Sequence, residues 1–537
     1  MIGYGVLTPE QRKTADFVLV FLHRYHLLRS LRQGTTSRFC NPEIKMAPFL
    51  YLLLLASSLI PVYAQDQPTD QSSMSLVITQ DGLDFVKYLL VNEAISSMIP
   101  LRLPNMEKTV KIPFVGDAFM MLSNITIYRI DVPSSNIKPR EDGISILASG
   151  TTCILSMNWY YSYSTWLVPV EISDEGSASV QVEDMDIGLT LGMENQGGSL
   201  KLVLKDTRCD IKDISIKLDG GASWLYQGMV DAFEGQIGSR VDNAITKKLK
   251  DGISKLDSFF QKLPKEISVN NNASLNVTLV GDPLLSDSSI GFGVNGLFTG
   301  RNVDVPKYWL MNPKLSVSCT NSSKMLGIAL DEAVFNSGSS LFYNAKFMHW
   351  VVDKIPDQSL LNTAGWRFIV PQLYKKYPNR DMNLNISLSS PPAVEFSNHK
   401  AEANIFADLT IDVMEGDEVI PVACITLVIR ASGSVKINGN NLAGTIGLDD
   451  FAMSLKWSNV GNLRMYLIQP IVWTLIQTVA LPYANSHLSK GFPLPIIHGF
   501  TLQNAEIILS SSRVTVCSDV VFAEPHKLIL KSLAYLV

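Results

Sequence analysis

Cysteine is scarce in this chain, six residues in 537, and no two of them form a CxxC pair. That excludes a zinc ribbon and a disulfide-dense scaffold. Cationic charge is in deficit too. The net charge is −5, and from Gln65 to Lys265 there are 19 Lys and Arg against 26 Asp and Glu, which argues against nucleic acid as a partner. Catalytic signatures are missing as well: there is no G-x-S-x-G elbow, no H-E-x-x-H and no G-x-x-x-x-G-K-[ST]. No enzyme activity and no cofactor are expected. Gly291 to Gly296 (GFGVNG) does match G-x-G-x-x-G, but a dinucleotide site needs strand, tight turn and then helix. Here a β-rich run follows. The acidic residues Glu171, Asp174, Glu175, Glu183, Asp184 and Asp186 alternate along strands without the ligand spacing of a calcium loop, so they read as a solvated face and no metal site is expected. His349, His399, His487, His498 and His526 are scattered and read as structural or exposed.

What the chain does have is apolar patterning. At 46% apolar and 18% charged it is globular, and its length exceeds what one core supports, so two or more domains are expected. The longest periodic element runs from Ala222 to Leu256. Leu225, Met229, Phe233, Ile237, Val241, Ile245, Leu249 and Ile253 recur at every fourth position. At about 3.6 residues per turn a four-residue step drifts about 40° each time. The stripe therefore winds around its helix, as suits a long helix lying curved along a twisted sheet, with Ser223 as N-cap and Lys247, Lys248 and Lys250 near its end.

An apolar run from Ala47 to Ile60, preceded by Lys45 and followed by Pro61-Val62-Tyr63-Ala64, reads as a secretory signal cut after Ala64. A signal anchor is the alternative. Residues 1–45 do not fit an ordinary signal peptide, and Met46 is a natural start, so a mis-assigned start codon is the preferred account of them. Five Asn-x-Ser/Thr sequons follow, at Asn124, Asn272, Asn276, Asn321 and Asn385, in agreement with export and glycosylation. Past the signal, Cys153 and Cys209 are the only cysteines of the first half and could close one bridge. At least one of Cys319, Cys424 and Cys517 is expected to be free and buried.

The plan of helix, long antiparallel sheet, long helix occurs twice. It opens with a helix over 81–99, passes through long alternating strands, and closes with the long helix. It then repeats with helices near 330–352 and 462–488 and strands between and after them. The boundaries this implies are a doubtful leader (1–45), a signal peptide (46–64), a first barrel (65–259), a linker (260–272), a second barrel (273–522) and an unassigned tail (523–537).

Several runs carry a resemblance. They are GLDFVKYLL (82–90), VPSSNIKP (132–139), GTTCILSMNWYYS (150–162), SPPAVEFS (390–397) and, after a helix ending in LPYANSHL, SKGFPLP (489–495). In this order, from about Ser73 to Phe522, the chain resembles the bactericidal/permeability-increasing and lipopolysaccharide-binding protein family, and its plant members most. The resemblance implies an α+β fold: an elongated two-barrel boomerang, each barrel a long twisted antiparallel sheet wrapped on a long helix, the two joined by a central sheet. Each barrel would hold an apolar pocket for lipid acyl chains. The function it implies is a secreted, non-enzymatic glycoprotein of innate defence that binds bacterial lipopolysaccharide or phospholipid at a bacterial or membrane surface. The rival is a lipid-transfer protein moving phospholipid or neutral lipid between surfaces.

Three site expectations complete the reading. The first pocket lies between the opening and long helices and is lined by Leu83, Val86, Leu90, Leu225, Met229, Phe233 and Ile237. The stretch NWYYSYSTW (158–166) forms an exposed hairpin tip, with Trp159, Tyr160, Tyr161, Tyr163 and Trp166 contacting a headgroup, a glycan or a membrane interface. Its alternative is packing against the neighbouring strand. In the animal lipopolysaccharide binders the matching hairpin is rich in Lys and Arg, and here it has none, so capture by this tip would depend little on salt. Finally, the family's usual bridge ties a strand to the long helix. Cys209 matches the strand end, the helix offers no cysteine, and Cys153 is the remaining candidate.

Overall fold

The computed structural model describes residues 72–522 apart from 113–115, 165–169, 221–222, 301–316, 318, 320–322 and 355–357. The leader, the signal segment, Trp166, Asn321 and the 523–537 tail lie outside the described residues.

Four antiparallel sheets make up the described chain. The first half builds an eight-stranded sheet whose main strands are Gly116–Asp131, Gly143–Tyr163, Ile172–Gln196 and Ser199–Asp210. At about 3.3 Å per residue, a strand of 25 residues is far longer than a flat ladder sustains. The sheet bends instead. Its register shifts between Ser123 and Thr126 and between Ala148 and Cys153, and Asn124, Gly150 and Asp184 hold positive φ. Such bulges add twist and coil the strands. Long strands also change partner along their length: Gly143–Tyr163 pairs first with Ser134–Arg140 and then with Gly116–Asp131. The long helix, Ser223–Lys262, lies along this coiled sheet. Its four-step stripe faces inward, with Phe233, Ile237, Val241 and Ile245 buried and Leu249 partly so.

A six-stranded central sheet comes next, in the order Leu284–Ser286, Ser289–Val294, Met74–Thr79, Leu326–Asp331, Arg513–Phe522, Phe500–Ser510. The GFGVNG run lies in its Ser289–Val294 strand and the turn after it, and leads to another strand, Phe298–Gly300, instead of a helix. Met74–Thr79 belongs to the first half of the chain yet pairs on both sides with strands of the second. It runs straight into the opening helix, Gln80–Met98, where the Thr79 side chain accepts from the Gly82 amide. Its neighbour Leu326–Asp331 runs equally directly into the helix Glu332–Asn344, capped by Asp331 through the Ala333 amide. The two strand-to-helix units are thus related by a local two-fold: Met74 opposes Leu330 and Ile78 opposes Leu326.

The second half repeats the plan with a seven-stranded sheet, whose longest strand is Glu418–Asn438, and a helical stretch from Met465 to Leu488. Long antiparallel sheet on long helix, twice, with a shared central sheet, is the architecture that the patterning and the resemblance implied.

The disulfide is a correction. Cys153 and Cys209 are free thiols, and the bridge joins Cys319 to Cys517, with Cα atoms 5.9 Å apart. Cys153 lies on Gly143–Tyr163 and Cys209 on Ser199–Asp210, with Ile172–Gln196 between them. Two strand spacings come to roughly 10 Å, beyond the reach of a disulfide. Burial pushes both thiols up to about 12, with Cys209 and then Asp131 adding to the effect at Cys153, and Asp242 and Asp210 at Cys209, so both stay protonated. Cys424 is free and buried, as expected for one of the last three. Non-reducing peptide mapping should therefore recover a Cys319–Cys517 linkage, with the buried Cys153 and Cys424 labelled only after unfolding. Cys517→Ser should cost about 2–4 kcal/mol in denaturant unfolding, because the bridge closes a span of 198 residues.

Candidate functional site

The largest apolar cluster in the first half packs between the sheet and the long helix. From the helix come Phe233, Ile237, Val241 and Ile245; from the strands come Met120, Ile125, Ile127, Leu155, Val180, Val182 and others. Five methionines sit among them: Met98, Met106, Met120, Met157 and Met185. Thioether side chains are unbranched and polarisable, so such an interior repacks around irregular apolar shapes more easily than one of Leu and Ile alone. No charged side chain among the described first-half residues is fully buried.

The seven residues expected to line one pocket are not brought together. Phe233 and Ile237 sit in this interior. Leu83 is buried in a separate cluster with Ile137, Ile144 and Ile290, against the central sheet. Val86 is half-buried, and Leu90 is 37% exposed. The side chains of Leu225 and Met229 lie outside the described residues. The reason is distance along the opening helix. It rises about 1.5 Å per residue, so Leu83 and Ile95 are roughly 18 Å apart along the axis. The end that reaches the first-half interior is the far one, through Ala94, Ile95, Met98 and Ile99. The apolar spacing of AISSMI was the signal for it.

The aromatic tip is a second correction. Trp159 is 1% exposed and Tyr161 5%. A strand alternates its faces, and Cys153, Leu155, Met157, Trp159 and Tyr161 all fall on the inner one. Trp159 stacks on Tyr161 at 5.8 Å and Tyr161 on Tyr163 at 6.2 Å. The Trp159 indole donates to the Ser177 carbonyl at 2.9 Å. Gly176 makes room for the ring, since a Cβ there would lie 2.5 Å from it. Burial, then Asp174 and Tyr163, raises the Tyr161 pKa, so the phenol stays neutral. Tyr160 is half-buried on the other face, edge-on to Phe119. The ladder is one end of the apolar interior, not a projecting contact surface.

The second half has its own sheet-and-helix interior. Ile468, Ile471, Val472, Leu475 and Ile476 face the sheet, while Tyr466, Trp473, Tyr483 and Leu488 are exposed. This helical stretch carries Pro470 within its first segment and a π turn at Ile476–Ala480. It is long and apolar enough to cross a membrane by length and composition, but one face is committed to the sheet.

Fold and interior together define a protein that packs an apolar core between a coiled antiparallel sheet and a helix, once in each half. The LBP/BPI/CETP family profile matches residues 82–256 as the N-terminal domain and 267–522 as the C-terminal domain. The chain belongs to that family. It is 61% identical to a BPI/LBP family protein of Arabidopsis thaliana, over 89% of this chain and 97% of that one. It is 24% identical to the bactericidal permeability-increasing protein of Sebastes schlegelii, over 88% and 98% of the two chains, and 24% identical to the human lipopolysaccharide-binding protein, over 78% and 87%. A crystal structure of lipopolysaccharide binding protein superposes with a TM-score of 0.61 at 19% identity, covering 85% of this chain and all of the other, and so shares the fold.

Trp159→Ala should destabilise the protein by about 3–5 kcal/mol, the usual cost of deleting a buried Trp. Gly176→Leu should be at least as damaging. Equilibrium urea unfolding checks both, and a wild-type midpoint for Trp159→Ala would show that the ladder is not packed.

Proposed function

We propose that this protein is a secreted, non-enzymatic glycoprotein that holds the acyl chains of phospholipid or bacterial lipopolysaccharide between sheet and helix, in defence against bacteria. The observation that carries the reading is the first-half interior: a helix stripe packed on a methionine-rich sheet face, with no fully buried charge among the described residues. The names of the family relatives, one a bactericidal permeability-increasing protein and one a lipopolysaccharide-binding protein, point the same way. Each CH₂ group moved from water into such a space contributes about 0.8 kcal/mol, so a 16-carbon chain offers on the order of 10 kcal/mol before the costs of association. Methionines and the aromatic ladder line the sheet side; the opening helix closes one end through Ile95 and Ile99.

A duplicated interior also suits a protein that moves lipid between surfaces, since each half carries its own helix and sheet. Transfer of labelled phospholipid between vesicles separates the two readings: a pure binder depletes donor vesicles only to its own stoichiometry, whereas a carrier turns over.

Export is supported by the apolar 47–60 run and by two sequons that stand exposed. Asn124 sits at a bulge of its strand, and Asn272 in the turn between Glu266–Asn270 and Ala273–Asn276. Asn276 is less open, because its side-chain oxygen accepts from both the amide and the hydroxyl of Thr278. Secreted material should begin at Gln65 and carry glycan at Asn124 and Asn272. N-terminal sequencing that finds residues 1–64 retained would overturn the secretory reading.

Lipid extracted from the native protein should appear by mass spectrometry. Phe233→Asp should abolish its retention, because an unpaired carboxylate placed in the interior loses its hydration. Because such a charge also threatens folding, Phe233→Ala is the companion variant. It should stay folded by circular dichroism and retain a clearly smaller lipid load. An unchanged load in folded Phe233→Ala would place the lipid elsewhere.

A further inference from the structure

The outer face of the first-half sheet carries a groove that the acyl-chain reading leaves unused. It encloses about 310 Å³ across four adjacent strands: Ser134–Arg140, Gly143–Tyr163, Ile172–Gln196 and Ser199–Asp210. Register decides its chemistry, since residues directly opposite on antiparallel strands share a face. One cross-strand row runs Lys138, Ser145, Thr190, Asp206, and the next runs Asn136, Leu147, Gly188, Arg208. Arg140 stands at the hairpin end, opposite Gly143. The intervening Ile137 and Ile144 are buried on the other face with Leu83.

Gly188 forms the floor. A Cβ there would lie 2.9 Å from Arg208 Nε and 3.1 Å from its Cγ, so the Arg208 side chain lies back across the sheet. Among the described residues, Lys138, Arg140 and Arg208 form no ion pair with a carboxylate. Lys212, by contrast, is held by both Asp184 and Asp186. Three unpaired cations thus face a single carboxylate, Asp206, in a half of the chain where acidic residues outnumber basic ones.

We infer that this groove binds a phosphate group carried beside hydroxyls, as in a sugar phosphate or a phosphorylated polyol headgroup. The planar guanidinium of Arg208 presents paired donors to two phosphate oxygens, and Lys138 and Arg140 add charge from the neighbouring strand. Asp206 repels a bare anion but accepts from a sugar hydroxyl, and Asn136, Ser145 and Thr190 donate and accept beside it. The volume suits one phosphorylated ring and is too small and too polar for an acyl chain. Because the groove lies on the face of the sheet opposite to the interior, the two sites fail independently.

The test uses the full secreted chain and two probes at low ionic strength. One is glucose 1-phosphate, followed by calorimetry; the other is phosphatidylcholine vesicles with and without phosphatidylinositol, followed by co-flotation. Wild type should bind glucose 1-phosphate or the phosphatidylinositol vesicles, and which of the two it binds tells a free ligand from a lipid headgroup. Lys138→Gln combined with Arg208→Gln should weaken that binding about tenfold while leaving co-extracted lipid and the melting temperature unchanged. Asp206→Asn should shift the other way, tightening binding of inorganic phosphate severalfold, which a merely damaged fold would not do. If wild type binds neither probe, or if the double variant binds as well as wild type, the inference is overturned.

Discussion

The antiparallel pairing of Met74–Thr79 with Leu326–Asp331 is the contact on which the rest of the described structure depends. It brings together segments some 250 residues apart in the chain. Each strand passes without a loop into a helix, so the pairing also fixes where both helices start and how each leaves the central sheet. Ser289–Val294 and Arg513–Phe522 extend the sheet on either side, and the Cys319–Cys517 bridge anchors one further segment to it. The family profiles divide the chain near residue 260, but the hydrogen bonding does not. A piece cut there would lose Met74–Thr79 from one half or leave it with both edges open in the other, an exposed pairing template.

Strand length is the second constraint, and it explains the apolar interiors. Right-handed twist accumulates along strands of 16 to 25 residues. The sheet must coil, and bulges at Asn124, Gly150 and Asp184 let it do so without abandoning its ladder. A coiled sheet presents a concave inner face that its own side chains do not fill. A helix whose apolar stripe winds at the matching pitch fills part of it, which is why a four-residue repeat serves here where a heptad would not. The remainder is closed by adaptable side chains, methionine above all in the first half. In the second half the stretch containing Pro470 and the π turn presents apolar residues on both its sides.

These constraints also explain how much was legible in the sequence. Periodicity located the long helix within a residue of its start, and the duplication was visible because both copies obey the same pattern of faces. What failed were inferences that needed to know which strands are neighbours. Cys153 and Cys209 were paired because they were the only two cysteines at hand, but a whole strand separates them. The aromatic run from Trp159 was read by composition as a wet tip. The alternation beginning at Cys153 already assigned Trp159 and Tyr161 to the buried face, and following period 2 through the run would have found it. The pocket set failed on the opening helix, where Leu83 and Ile95 face different clusters although one apolar pattern runs through both. The groove around Arg208 left no linear trace, because its residues come from four strands over some seventy positions.

Period 2 has a further consequence for a protein of this kind. Along Gly143–Tyr163, odd positions from Cys153 to Tyr161 face the apolar interior. Nearer the start of the same strand, after the register shift around Gly150, Ser145 and Leu147 face the opposite side, toward Lys138 and Arg208. One bulge therefore reverses which parity points outward, and a single strand borders an apolar core at one end and a cationic surface at the other. They lie on opposite faces of the sheet and at opposite ends of the strand, and the cluster directly behind the cationic groove is the separate one of Leu83, Ile137, Ile144 and Ile290. Separation of this kind needs neither a second domain nor a buried ion pair. It needs only a strand long enough to require a bulge.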